Sequence, residues 1–188
     1  MQSDNQKQKE KLKTLVLYWS ATGNTRKVTE AINRGLERAG VAPVVMKINE
    51  AQDEDLFKYD LVFIGSPSYQ WLPPEPVQKY INAKMKYHRE RGDIKPSAPK
   101  IPGKSVVIFC TYSGPHTGID EAIPAVKYMG QFFAHIGFNI LAEWYVIGEF
   151  HNHEEFNIGG KLGDIRGKPT EEELSRIEND AVNLVQSL

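Results

Sequence analysis

The residues best equipped for chemistry sit close together near the N-terminus, in Ser20-Ala21-Thr22-Gly23-Asn24-Thr25. An apolar run, Leu15 to Trp19, precedes them, and an amphipathic pattern from Arg26 to Arg38 follows. A hydroxyl-rich turn between a buried strand and a helix is suited to receive phosphate. The first helical N–H groups lack partners within the helix, the helix dipole favours an anion there, and hydroxyls add short donors. The competing reading is an N-cap that serves the helix alone. Neither a Walker lysine nor a three-glycine dinucleotide pattern is present, which disfavours a nucleoside triphosphate and the usual dinucleotide fingerprint.

Two further stretches carry candidate binding residues. Ser66-Pro67-Ser68-Tyr69-Gln70-Trp71-Leu72-Pro73-Pro74-Glu75-Pro76 places two aromatics on a proline-stiffened loop. Such a loop offers flat apolar surface to a planar ligand, worth roughly 1–3 kcal/mol per stacked aromatic. Alternatively, Tyr69 and Trp71 pack on neighbouring loops. Thr111-Tyr112-Ser113-Gly114-Pro115-His116-Thr117-Gly118 combines small residues, which admit a ligand close to the backbone, with polar side chains and one histidine. His116 also has a bland reading, as a cap of the next helix. His151 and His153 have a spacing that a metal could use, but no third ligand is evident, so a solvated loop is expected there. Cys110 closes an apolar run and reads as an inert packed thiol.

The elements needed to hold these loops follow from periodicity. Apolar runs without alternation mark strands buried on both faces at Leu15–Trp19, Leu61–Ile64 and Ser105–Cys110, with further strands at Val41–Ile48 and Asn139–Ile147. Pro43 is tolerable only near a sheet edge. Helical spacing covers Arg26–Arg38, Pro76–Arg89 and Gly118–Gly137, with Pro124 in the first turns of the third. A last helix runs from Pro169 or Thr170 to Leu188, where Thr170 and Glu173 fit a capping box. Alternation of strands and helices predicts a parallel sheet covered on both sides, with ligands beyond the C-terminal strand ends. Gly148 to Lys168 reads as an irregular segment, of which Asn157–Gly167 exceeds a usual connection and reads equally as a lid, a dimer contribution or a mobile loop.

The chain has 188 residues and a formal net charge of -1, giving no reason to expect nucleic acid or an anionic membrane as partner. Residues 1–13 read as a polar, solvated arm and 14–188 as a single domain. No apolar run is long enough to span a membrane and no signal-like core follows Met1. One cysteine excludes an intramolecular disulfide and fits a reducing cytoplasm.

The three loops, in this order and at these strand ends, resemble those of the flavodoxin-like FMN-binding family, over about Leu15 to Ile147. The resemblance implies a doubly wound five-stranded parallel α/β sheet in the order 2-1-3-4-5, with helices on both faces. It further implies that Ser20 to Thr25 wraps the FMN phosphate and that Pro67 to Trp71 lies against the flavin ring, Tyr69 being the stacking aromatic. Thr111, Tyr112, Ser113, Gly114, His116 and Gly118 then form the third flavin loop. The segment His116-Thr117-Gly118 more narrowly resembles tryptophan-repressor-binding-type NAD(P)H:quinone oxidoreductases, whose histidine stands at the reacting flavin edge. Two features depart from single-electron carriers: Gln70 stands where they commonly have Gly, and the chain is almost neutral. The expected function is therefore an NAD(P)H:quinone oxidoreductase, with a flavodoxin-type electron carrier as the alternative and a flavin-free binding module as a third. A redox protein or a small quinone is the expected partner, and a homo-oligomer is compatible.

Overall fold

The computed structural model describes residues 12–188. Five parallel strands, β1 (Thr14–Tyr18), β2 (Val44–Lys47), β3 (Leu61–Pro67), β4 (Ser105–Tyr112) and β5 (Asn139–Ile147), form one sheet in the order β2-β1-β3-β4-β5. The helices are α1 (Asn24–Arg38), α2 (Glu75–Glu90), α3 (Ile123–His135), the short α4 (Glu154–Ile158) and α5 (Glu171–Gln186).

Alternation along each central strand explains why the runs are continuously apolar. Leu15, Leu17, Val62, Ile64, Val106, Ile108 and Cys110 point to one core, which α2 and α3 cover with Val77, Tyr80, Ile81, Val126, Met129 and Phe133. Val16, Leu61, Phe63, Val107 and Phe109 point to the other, which α1 and α5 cover with Val28, Ile32, Leu36, Leu174, Ile177 and Val185. Successive residues therefore serve opposite cores, as buried parallel strands require. Glu178 on α5 accepts from Arg34 and Arg38 of α1, at 2.9 and 2.6 Å, and aligns that pair of helices.

Several boundaries differ from the sequence expectation. β2 is shorter than Val41–Ile48 and lies at the sheet edge, so Val44 and Val45 are 44% and 40% exposed. The expected helix over 118–137 is divided into a 3-10 turn, Gly118–Glu121, and α3. Pro124, without an N–H to give, stands in the first turn of α3, where that loss costs least. β3 and β4 run beyond their apolar cores because Ser66 pairs with Cys110 and Pro67 with Thr111. The capping box forms as expected, with Thr170 N donating to Glu173 Oε2 and Glu173 N to Thr170 Oγ1. Of the predicted arm, residues 1–11 lie outside the described residues. Leu12 packs on the α1–α5 core, and the Lys13 carbonyl accepts from the N–H groups of Asp60 and Leu61. Among the described residues, no helix is long and apolar enough to cross a membrane.

Candidate functional site

The loops after β1, β3 and β4 converge at the C-terminal edge of the sheet around a cavity of about 750 Å³. After β1 the chain turns through Ser20–Gly23, and Gly23, at φ 107°, caps α1 in a backbone conformation that any side chain would strain. Ser20 Oγ accepts from the N–H groups of Gly23 (3.2 Å) and Arg26 (3.3 Å), which shapes the turn from inside. The N–H groups of Thr22, Asn24 and Thr25 have no acceptor among the described residues. The first turn of α1 carries no acidic residue. Open donors at the positive end of a 15-residue helix are chemically suited to an anion. Ser20, Ala21, Thr22, Asn24 and Thr25 all line the cavity, and Gly23 sets their geometry without lining it. The side chain of Thr25 is spent on Thr111, Oγ1 to Oγ1 at 2.8 Å, which ties the first loop to the third.

The second loop is anchored at Ser68, whose N–H donates to the Thr111 carbonyl at 2.9 Å. Tyr69 and Leu72 then exchange two backbone hydrogen bonds, Tyr69 N to Leu72 O at 2.8 Å and Leu72 N to Tyr69 O at 3.1 Å. They close a two-residue turn in which Gln70 (φ 49°) and Trp71 (φ 67°) are both left-handed. Tyr69 is 46% and Trp71 60% exposed, so both present aromatic surface at the cavity rim. Trp19 meets Tyr69 edge-on at 6.0 Å between centroids. Burial pushes the Tyr69 phenol upward, which keeps it neutral.

In the third loop, Thr111 and Tyr112 are buried at the end of β4, and burial also raises the Tyr112 phenol. Ser113 Oγ donates to the Gly148 carbonyl at 2.8 Å. His116 is exposed and packs edge-on against Phe156 at 5.6 Å. Thr111, Tyr112, Ser113, Gly114 and His116 line the cavity; Gly118 is buried behind it, its N–H donating to the Gly114 carbonyl. Cys110 faces the core beneath, and burial pushes its thiol far up, away from the reactive thiolate.

A fourth wall is built by the segment after β5. Gly148, Glu149, Phe150, His151, Asn152 and Phe156 complete the cavity. Asn24 Nδ2 donates to the Glu149 carbonyl at 3.0 Å, and a Cβ on Gly148 would stand 2.5 Å from that same amide nitrogen. Buried Asn157 holds Phe150 through both of its backbone groups, at 2.6 and 2.8 Å. Sequence reasoning did not place these residues, nor Pro115 and Glu121, in the site. The available signal was an over-long connection containing two phenylalanines within seven residues. His153 is stacked on Phe156, while His151 Nε2 lies 4.0 Å from Glu149 Oε1 without a hydrogen-bond partner among the described residues. Among the described residues, no group of three His, Cys, Asp or Glu is arranged for a metal ion. No Lys or Arg among them lines the cavity either, whereas the acidic residues Glu121 and Glu149 do.

Comparison with known proteins agrees with this arrangement. Residues 15–98 match the family model described as flavodoxin domain. The flavodoxin of Megasphaera elsdenii is 25% identical over 99 residues, which is 52% of this chain and 63% of the relative, so the match spans under two thirds of that protein. Flavodoxin 1 from Bacillus cereus superposes with a TM-score of 0.64 at 15% identity, over 94% of this chain and 99% of the other. A flavodoxin, WrbA-like protein from Agrobacterium tumefaciens gives 0.59 at 16% identity, over 93% and 96%. The domain match covers the first three strands, and over nearly all of its length the chain has the flavodoxin-like fold.

Proposed function

We propose that the cavity binds FMN and that the protein is an NAD(P)H:quinone oxidoreductase. The residues fit the cofactor at each end. The open N–H groups of Thr22, Asn24 and Thr25 and the Thr22 hydroxyl suit a phosphate without any basic side chain. Tyr69 and Trp71 supply the aromatic surface a flavin ring requires, and Thr111 to Gly114 the polar, closely approachable backbone for its pyrimidine end. Bound FMN would supply hydride acceptance and donation. The protein's part is to exclude water with Phe150 and Phe156, and to offer His116 as a hydrogen-bond donor to an acceptor oxygen as charge develops there.

The observation that carries the two-electron reading is the closed turn at Gln70-Trp71. Rotating its central peptide would convert a type I′ turn to type II′, which demands at position 70 a conformation that glycine tolerates and glutamine does not. The backbone rearrangement that favours single-electron exchange is thereby opposed. The carrier reading draws on a different observation, the apolar rim of Trp71, Tyr69 and Leu72, which suits docking of a redox protein.

Apoprotein titrated with FMN, then mixed anaerobically with NADH or NADPH and a water-soluble benzoquinone, tests the proposal. Flavin bleaching by a nicotinamide and recovery on quinone addition are expected. His116→Ala should lower turnover more than FMN affinity. Failure of both nicotinamides to reduce bound FMN would leave the electron carrier as the function.

A further inference from the structure

We infer that Glu121 is the positioning residue of the site, holding the second and third loops in register and setting the electrostatics at the ring end. The inference rests on the reading of the cavity as an FMN site. Glu121 closes the 3-10 turn before α3 and lines the cavity. Its Oε1 accepts from two successive backbone groups, His116 N–H at 2.8 Å and Thr117 N–H at 2.7 Å. Its carbonyl accepts from Ser68 Oγ, on the loop that presents Tyr69. Ser68 N in turn donates to the Thr111 carbonyl. One residue thus joins the histidine loop to the aromatic loop, while Phe156 steadies the His116 ring from the far side. Charge-assisted bonds to a single oxygen are strong and directional, so the brace fixes backbone that would otherwise be a free turn. The carboxylate also has a second effect. With no Lys or Arg lining the cavity among the described residues, a carboxylate at this wall would oppose the negative charge that a bound flavin gains on reduction.

Glu121→Gln and Glu121→Ala separate the two effects, because an amide oxygen can accept both N–H groups while carrying no charge. Three readouts apply to the full chain: amide hydrogen exchange at His116 and Thr117 without cofactor, FMN affinity by fluorescence quenching, and midpoint potential of the bound flavin. Glu121→Ala should speed exchange at both amides and weaken FMN about tenfold or more, the range of a lost bond to a charged group. Glu121→Gln should keep both amides protected, bind FMN within about twofold of wild type and shift the midpoint to a more positive potential. Three results would overturn the inference: wild-type affinity and protection in Glu121→Ala, a loss in Glu121→Gln equal to that in Glu121→Ala, or an unchanged midpoint in Glu121→Gln. Wild type that takes up no FMN defeats the cofactor reading itself, a result distinct from those three.

Discussion

Replacing Gln70 by Gly tests the strain held in the aromatic loop. Gln70 and Trp71 have φ values of 49° and 67°, where a non-glycine residue costs about 1–2 kcal/mol. Glycine removes that cost at position 70 but loses about 0.5–1 kcal/mol through its freer unfolded chain. The net gain is about 0.5–1 kcal/mol, because the two hydrogen bonds between Tyr69 and Leu72 use backbone groups that the substitution leaves in place. For a chain of this size 1 kcal/mol moves the unfolding midpoint by about 2–4 °C, which calorimetry on apoprotein resolves. The functional effect should be larger. Glycine permits the type II′ arrangement that glutamine opposes, so stepwise anaerobic reduction of the FMN complex should separate into two one-electron stages in the variant. In wild type the same titration should run as one two-electron stage. A variant less stable than wild type would show that contacts of the Gln70 side chain, rather than its backbone, hold the turn. Identical titrations would refute the link between this turn and electron number.

Thr22→Val should weaken FMN by roughly 1–3 kcal/mol while leaving riboflavin, which lacks the phosphate, unaffected; equal FMN affinity in both proteins would remove the phosphate from this loop. Tyr69→Ala should weaken FMN and restore part of the quenched flavin fluorescence, whereas Tyr69→Phe should preserve both; normal binding by the alanine variant would assign the stacking to Trp71 or Tyr112. His88 is 1% exposed, bonded through Nδ1 to Asp93 at 2.8 Å, and has no partner at Nε2 among the described residues, so burial holds its pKa below the ordinary value. The unfolded chain therefore takes up the proton first, and stability present above about pH 6.5 is lost as pH falls toward the depressed folded value; His88→Gln should flatten that slope in urea unfolding, and parallel slopes would refute the assignment.

The fold was legible because its signals are local. Strands buried on both faces have to be continuously apolar, and the turn Ser20–Thr25 gathers hydroxyls around the unpartnered first N–H groups of a helix within a few residues. What escaped was whatever depends on distant neighbours. Val44 and Val45 look like core residues, yet among the described residues β2 pairs only with β1, and nothing in the composition of a strand records whether its second edge is occupied. The helical spacing over 118–137 is genuine, but its first turn, Gly118–Glu121, is 3-10 and is separate from α3.

The fourth wall was the larger omission, and the site's own hydrogen bonds explain why. Asn24 reaches Glu149 across 125 positions, Thr25 reaches Thr111 across 86, Ser68 reaches Glu121 across 53 and Ser113 reaches Gly148 across 35. Each contact joins two loops, and each loop has a partner in at least one other. A motif records what one loop offers a ligand, while the cavity is defined by how the loops are fastened to each other. The loop after β1 shows the difference most clearly. Asn24 and Thr25 belong to the motif, yet their side chains bind protein, the first holding the post-β5 wall and the second holding β4. Their backbone N–H groups stay open, so in the proposed FMN site the same two residues would supply the ligand donors and the braces that fix those donors in place. Loss of either side chain should therefore weaken phosphate binding although neither side chain is needed to touch the phosphate.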